Sequence, residues 1–156
     1  MLVGVISDTH DNLTTLRKAL ALFRERRVAH IIHAGDWVAP FAVKPFIECG
    51  IPCTGVFGNN DGEKAGIRKL TDRIHPSPHV FDLCGRRIVL THDENRASEE
   101  LKRDADIFIF GHTHQVAVEK GSPLVLNPGE CCGWLSDRPT VALLDLDTLE
   151  VSIEEI

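Results

Sequence analysis

Apolar residues recur with two different periods along this chain. Leu13, Leu16, Leu20 and Phe23 follow the spacing of one helix face, within a segment 11–27 that Asp11 or Asn12 can cap. Elsewhere the apolar residues come in short runs rich in β-branched side chains. The runs 2–7, 29–35 and 51–58 each end at a glycine or a polar cluster and predict buried strands. Between the second and third, residues 40–48 read as a short helix with Pro40 near its start. A β-α-β-α-β alternation predicts parallel strands with covering helices.

The second half changes character. Residues 79–92, HVFDLCGRRIVLTH, read as two strands joined at Cys84-Gly85. A helix is expected over 97–104 and a strand over 106–110. Only strands follow, at 115–119, 123–127, 139–146 and 149–155, with turn signals at Gly121, Pro128-Gly129 and Asp147. No linker, repeat or low-complexity stretch interrupts the pattern. The expectation is one α/β domain over residues 1–156 whose hairpin-rich second half completes two sheets packed face to face.

Composition narrows the partners. A chain of 156 residues is long enough for one domain with a sizeable core. Its net charge is −6, and its densest basic patch, Arg24 to Arg27, is interrupted by Glu25. Extended nucleic acid would call for a basic stripe, so it is not an expected partner. No apolar stretch approaches the roughly 20 residues of a membrane span, so no membrane partner is expected. The opening MLVGVISDTH lacks a charged n-region, so no signal peptide is expected. Of the five cysteines, Cys49 and Cys53 are four apart, Cys131 and Cys132 are adjacent and Cys84 stands alone. None forms a CxxC motif, which predicts reduced thiols and a cytoplasmic location.

The polar residues gather where the strands are predicted to end. Asp8-Thr9-His10 follows the first strand, Gly35-Asp36 the second and Gly58-Asn59-Asn60-Asp61 the third. Thr91-His92 ends the strand before the 97–104 helix, and Gly111-His112-Thr113-His114 follows the strand 106–110. In α/β sheets, ligands bind beyond the carboxyl ends of the strands. Five strands therefore deliver Asp, Asn or His toward such a place. The two imidazoles of GHTH, one residue apart in a turn, can face two centres, as a pair of metal ions about 3.5–4 Å apart requires. Imidazole, carboxylate and amide oxygen together suit Mn²⁺, Fe²⁺, Zn²⁺ or Ni²⁺.

The order Asp8-x-His10, Gly35-Asp36, Gly58-Asn59-x-Asp61, His92, Gly111-His112-x-His114 resembles the calcineurin-like metallophosphoesterase superfamily. The length and Asn127-Pro128-Gly129 resemble its small YfcE-type phosphodiesterases. The resemblance implies a two-layer β-sandwich of mixed sheets flanked by helices, with a dinuclear metal centre at one end. It implies Asp8, His10 and His114 as ligands of one ion and Asn59, His92 and His112 as ligands of the other, with Asp36 bridging both. Mn²⁺ is the expected metal, with Ni²⁺, Fe²⁺, Zn²⁺ and Mg²⁺ as alternatives. The implied activity is hydrolysis of small phosphodiesters by a metal-bound hydroxide attacking phosphorus in line. Charge agrees: two carboxylates against two divalent ions leave the loaded site positive, although the whole chain is acidic. Asn60 and Asp61 are carried over as catalytic residues. At position 60 many relatives have a histidine thought to protonate the leaving group; Asn60 can hydrogen-bond a phosphate oxygen but cannot act as an imidazolium does.

Other departures are Asp93, where glycine is frequent, and Glu130, where serine is common. Both are expected to be exposed loop charges, with orientation of metal-bound imidazoles as the alternative. His30, His33, His75 and His79 receive no catalytic role. Trp37 and Phe41 are expected in the core, with an apolar substrate shelf as the alternative. The competing function is a protein-binding scaffold on the same fold, as in the retromer subunit with its degraded metal site. A scaffold has no need of all seven coordinating side chains, and all seven are present. A small phosphoester is the expected partner, and a homo-oligomer stays open.

Overall fold

Strand β1 (Leu2–Ile6) alternates its side chains between two different layers. Val3 and Val5 point to one face and pack with residues of a second sheet, whereas Ile6 joins a cluster built on helices. That alternation organises the whole chain, which a computed structural model describes over residues 1–156.

Helix α1 (Leu13–Glu25) starts where the Asn12 side chain accepts from the Thr15 amide, and it buries Leu16, Ala19, Leu20 and Phe23. After it come β2 (His30–His33), α2 (Pro40–Cys49), β3 (Cys53–Val56), α3 (Lys64–Arg68) and β4 (Ile74–His75). Strands β1 to β4 lie parallel and adjacent. Later in the chain, β10 (Thr140–Asp145) and β11 (Val151–Glu155) extend this sheet antiparallel beyond β1, in the order β11-β10-β1-β2-β3-β4.

The second sheet holds β5 (His79–Leu83), β6 (Arg86–Leu90), β7 (Ile107–Ile109), β8 (Val116–Glu119) and β9 (Leu124–Pro128), in the order β5-β6-β7-β9-β8. Strands β6, β7 and β9 are parallel; β5 and β8 flank them antiparallel. A 3₁₀ turn at Glu94–Arg96 and helix α4 (Glu99–Arg103) cross from β6 to β7.

Three apolar layers result. Val3, Val5, Ile32 and Leu144 of the first sheet meet Ile88, Leu90, Ile109 and Leu126 of the second, all without solvent exposure. Leu16, Phe23 and Phe46 cover the outer face of the first sheet over Ile31 and Val141. Ala97, Ala105 and Phe108 close the outer face of the second. Fully burying one such large side chain is worth about 1.5–3 kcal/mol, so both faces of each sheet must be covered. The architecture is the two-layer sandwich of mixed sheets with flanking helices. No helix is long and apolar enough to cross a membrane.

The chain departs from the sequence expectation mainly by addition. Helix α3, strand β4 and the 3₁₀ turn had no counterpart there. Helix α3 has five residues, including Gly66, and β4 has two, so neither is long enough to show a period. Trp37 is fully buried, stacks on His33 with ring centroids 3.6 Å apart and donates its indole N–H to the Val56 carbonyl. It is core. Phe41 is 48% exposed, so the core expectation fails for that ring.

Candidate metal centre

Parallel pairing brings the carboxyl ends of β1, β2 and β3 to one rim: Ile6 lies beside His33, and His33 beside Gly55. Leu90 and Ile109 end together on the second sheet. The two rims are stitched by backbone. The Gly111 amide donates to the His92 carbonyl at 3.0 Å, and the His112 amide donates to Asp8 Oδ2 at 3.1 Å.

Space at this junction explains two of the motif glycines. A Cβ on Gly58 would lie 2.1 Å from Asp36 Oδ1, and a Cβ on Gly111 would lie 1.9 Å from Ser7 Oγ and 2.9 Å from Asp8 Oδ2. Any larger residue would push the carboxylates aside. The loops are also strained. Asp8, His10, Asp36, His112 and His114 all have positive φ, between 40° and 68°. Such backbone in non-glycine residues costs about 1–3 kcal/mol each and clusters at functional sites.

The side chains form two adjoining groups. In the first, His114 Nε2 lies 3.4 Å and His10 Nε2 3.7 Å from Asp8 Oδ1. In the second, His92 Nε2 lies 2.9 Å from Asn59 Oδ1. Asp36 Oδ2 stands between them, 3.5 Å from His10 Nε2 and 3.3 Å from His92 Nε2. His112 lies beside the second group, its ring edge-on to His92 with centroids 5.1 Å apart. Asp8, His10, Asp36, Asn59, His92, His112 and His114 thus come from five strand ends to one place.

Hydrogen bonds aim these atoms. His92 Nδ1–H donates to the Ala34 carbonyl at 2.8 Å, which turns the Nε2 lone pair inward. His114 Nδ1–H donates to Glu130 Oε2 at 2.7 Å and turns its own Nε2 toward Asp8. Ser7 Oγ donates to Asp8 Oδ2 at 2.6 Å, leaving Oδ1 as the atom that faces the imidazoles.

The result is a crowd of acceptors. His92 Nε2, Asn59 Oδ1 and Asp36 Oδ2 converge, yet none carries a proton when the imidazole is neutral. Asp8 Oδ1 and His10 Nε2 are buried and have no hydrogen-bond partner. Buried polar atoms without partners are rare and call for an explanation, and a bound cation supplies one. Electrostatics point the same way. The Asp8 carboxylate raises the His10 pKa against the opposing effect of burial. Burial pushes His92 down, but Asp36 outweighs it and the net shift is upward. Asp36 itself is pushed up by burial, yet His92 and the two donors of Asn60 hold it far below the ordinary carboxylate range. Asp8, His10 and Asp36 present ligand atoms within 4.8 Å of one another, so the residues fit a divalent cation.

Asn60 and Asp61 sit beside this group with different tasks. Asn60 donates its backbone N–H to Asp36 Oδ1 at 2.8 Å and its amide to Oδ2 at 2.7 Å. Asp61 is buried and accepts from three backbone amides, those of Gly58, Asp36 and Val38, at 2.6–3.2 Å. Burial raises the Asp61 pKa against those donors. Its carboxylate ties the loop after β3 to the loop after β2 and has no free edge toward the imidazoles.

Glu130 corrects the expectation of an exposed charge. It is fully buried, and it accepts from His114, from Cys132 Sγ at 3.0 Å and from the amides of Leu135 and Ser136. Burial pushes the carboxyl up, but these donors outweigh it and bring it to about 2. Asp93 follows the other course: its Oδ1 accepts from the Asn95 amide and caps the 3₁₀ turn. Cys132 offers sulfur within 4.8 Å of His10 and His114. Burial pushes that thiol up to about 12, and its S–H donates to Glu130 Oε2, so it belongs with the supports. Asn127 is another support: its amide donates to the Gly111 carbonyl at 2.9 Å and to Thr113 Oγ1 at 3.0 Å.

Known proteins share this arrangement. Residues 1–149 match the calcineurin-like phosphoesterase superfamily domain. A phosphodiesterase of Methanocaldococcus jannaschii is 35% identical over 159 residues, covering 96% of both chains. A solved archaeal phosphodiesterase superposes with a TM-score of 0.90 at 32% identity, over 100% of both chains. YfcE, a phosphoesterase from E. coli, shares the fold at a TM-score of 0.75 and 21% identity, over 100% of this chain and 98% of its own. With five strand ends delivering carboxylates, an amide and imidazoles to one rim, and a family match across nearly its full length, the chain belongs to the calcineurin-like phosphoesterase superfamily.

Proposed function

We propose that this protein is a phosphodiesterase with a dinuclear metal centre, with Mn²⁺ as its ion. Membership of the superfamily makes it a metal-dependent phosphoesterase, and a homologous phosphodiesterase at 35% identity supports the diester substrate. The observation that carries the two-ion reading is the convergence of unprotonated acceptors on both sides of Asp36 Oδ2. Asp8, His10 and His114 would hold one ion, Asn59, His92 and His112 the other, and Asp36 both. Two divalent ions held there would supply Lewis acidity toward the phosphoryl oxygens and would acidify water for attack on phosphorus.

The chain's own residues set the rest. Glu130 and the Ala34 carbonyl keep His114 and His92 in the tautomer that presents Nε2. Asp61 is a positioning residue that fixes both loops. The Asn60 amide, next to Asp36 Oδ2, is within the same small region and offers an N–H to a phosphate oxygen. Trp134, 62% exposed with its ring centroid 6.1 Å from that of His10, offers an apolar wall on the side of the first ion. Five free thiols with no disulfide support a reducing, cytoplasmic setting.

Turnover of bis(p-nitrophenyl) phosphate by protein stripped of metal and reloaded with Mn²⁺ tests this reading. Activity must vanish on stripping, return on reloading and fail to return in Asp36→Asn. Undiminished turnover by the stripped protein, or a fully active Asp36→Asn, would overturn it.

A further inference from the structure

The three strand-end residues on one side of Asp36 open onto more than a metal site. Asn59, His92 and His112 form part of the wall of a basin of about 580 Å³. Phe57 is its one apolar residue. Its far wall is made by Lys64 and Arg68 of α3 and by Arg96 at the end of the 3₁₀ turn. A chain of net charge −6 thus gathers three cations into one hollow beside its candidate centre.

These cations are not used by the fold. None of their side chains makes a hydrogen bond or an ion pair within the chain, although Arg26, Lys102 and Arg138 elsewhere all do. Asp93 is the only carboxylate in the wall, and its Oδ1 is taken up by the backbone and side-chain amide of Asn95. The heads are nonetheless held in place. Lys64 Nζ lies 5.6 Å and Arg68 Cζ 5.3 Å from the Phe57 ring centroid, so both rest against one aromatic ring. Phe57 is itself only 5% exposed and directly precedes the Gly58-Asn59 turn. The ring therefore ties the cations to the same loop that carries Asn59.

Unpaired cations are ordinary on a surface, but three of them converging in one hollow beside the candidate centre suit an anion. Two guanidinium groups and an ammonium suit the oxygens of a phosphate. The volume falls in the range of small-molecule sites and far exceeds what one phosphate needs. The centre itself would take the scissile phosphate. We propose that the basin binds a second phosphate carried by the same substrate, so that the favoured substrates are phosphoesters of nucleoside size with another phosphate beyond the scissile one. This specificity rests on the phosphodiesterase reading above; the anion site itself does not.

Two measurements on Mn²⁺-loaded protein separate them. In calorimetric titrations, thymidine 3′,5′-bisphosphate should bind about tenfold or more tightly than thymidine 5′-monophosphate, as expected for a few exposed cations acting together. The preference should shrink with added salt. In the double variant Arg68→Ala/Arg96→Ala it should fall to within about twofold, with the larger loss of affinity falling on the bisphosphate. Both positions are exposed, so the variant should keep its native melting temperature. Equal binding of the two nucleotides by the native protein, or a preference that survives in the double variant, would overturn the proposal. The second measurement compares kcat/KM for the 5′-(p-nitrophenyl) esters of the same two nucleotides. The same preference should appear there and vanish in the variant. Preferential binding with no turnover of either ester would refute the phosphodiesterase reading and keep the anion site. Turnover of both esters at equal rates would refute the substrate assignment alone.

Discussion

Replacing Glu130 by Gln tests whether a buried carboxylate outside the ligand set tunes the metal centre. The side chain keeps its shape but loses its charge and one acceptor. In the native protein Oε2 receives His114 Nδ1–H and Cys132 Sγ, while Oε1 receives the amides of Leu135 and Ser136. Whichever way the new amide is turned, its NH₂ faces donors. One end of the network must break. A hydrogen bond to a charged group is worth about 1.5–3 kcal/mol, so a loss near 2 kcal/mol is expected. For a chain of this size that lowers the melting temperature by about 4–8 °C. The consequence at the centre is distinct from the loss of stability. His114 loses the acceptor that fixes its tautomer, and such outer partners typically change metal affinity by about 10–100-fold. The assay is Mn²⁺ affinity by titration of the stripped protein, with kcat measured at saturating Mn²⁺. Affinity should fall by that factor while saturating metal restores much of kcat. A melting temperature lowered by several degrees with native Mn²⁺ affinity would refute the reasoning, because Glu130 would then serve only the loop 131–136.

The remaining expectations follow from neighbouring groups. His33 is fully buried, and burial first, then the charge of His92, holds its pKa well below the ordinary value of 6.5. Its neutral form is the native one, so stability is complete above pH 6.5 and falls as the unfolded chain takes up a proton below it, by at most about 1.4 kcal/mol per pH unit. Burial shifts His30 and His79 in the same direction. In stripped protein the raised pKa values of His10 and His92 act with the opposite sign, so the test is a difference: in denaturant unfolding between pH 7.5 and 5, His33→Gln should lose less stability toward acid than the native chain, and an identical pH dependence would show that His33 protonates in the native state. Asn60 cannot donate a proton as an imidazolium can, and a general acid contributes about 10²–10⁴-fold. Aryl diesters should therefore be cleaved far faster than alkyl ones, with a steep dependence of kcat/KM on leaving-group pKa. Asn60→His should flatten it, less the cost of the two bonds that Asn60 gives to Asp36, of which only the backbone one survives. A shallow dependence in the native enzyme would place the proton donor elsewhere.

The elements that stand out in the sequence are those with a period or a sharp end. Strand β1 and helix α1 are legible because burial on one or both faces leaves long apolar patterns, and Gly58 and Gly111 mark where carboxylates crowd the backbone. The seven candidate ligands could be grouped because each follows a strand end. Helix α3 could not be seen, and with it the cationic wall of the basin, since Arg96 is far in sequence from Lys64 and Arg68 and all three are ordinary in type. Glu130 was misjudged for a related reason. A carboxylate in a turn after Pro128-Gly129 looks solvated until the fold shows Cys132, Leu135 and Ser136 folded back over it. Its one clue was position, directly after Asn127-Pro128-Gly129. Asp61 carried the motif but not the role: only the geometry shows both its oxygens occupied by backbone amides.

The central claim is that Asp36 joins two metal sites, and counting ions tests it most directly. Native protein, Asp36→Asn and Asn59→Ala are stripped, reloaded with excess Mn²⁺, passed through a desalting column and analysed for metal by mass spectrometry. Two ions per chain are predicted for the native protein. Asp36→Asn should retain fewer than one, because it removes the charge shared by both groups. Asn59→Ala should retain at least one, because it removes a single neutral donor from one side. Native protein that holds one ion or none, or Asp36→Asn that still holds two, would contradict the account.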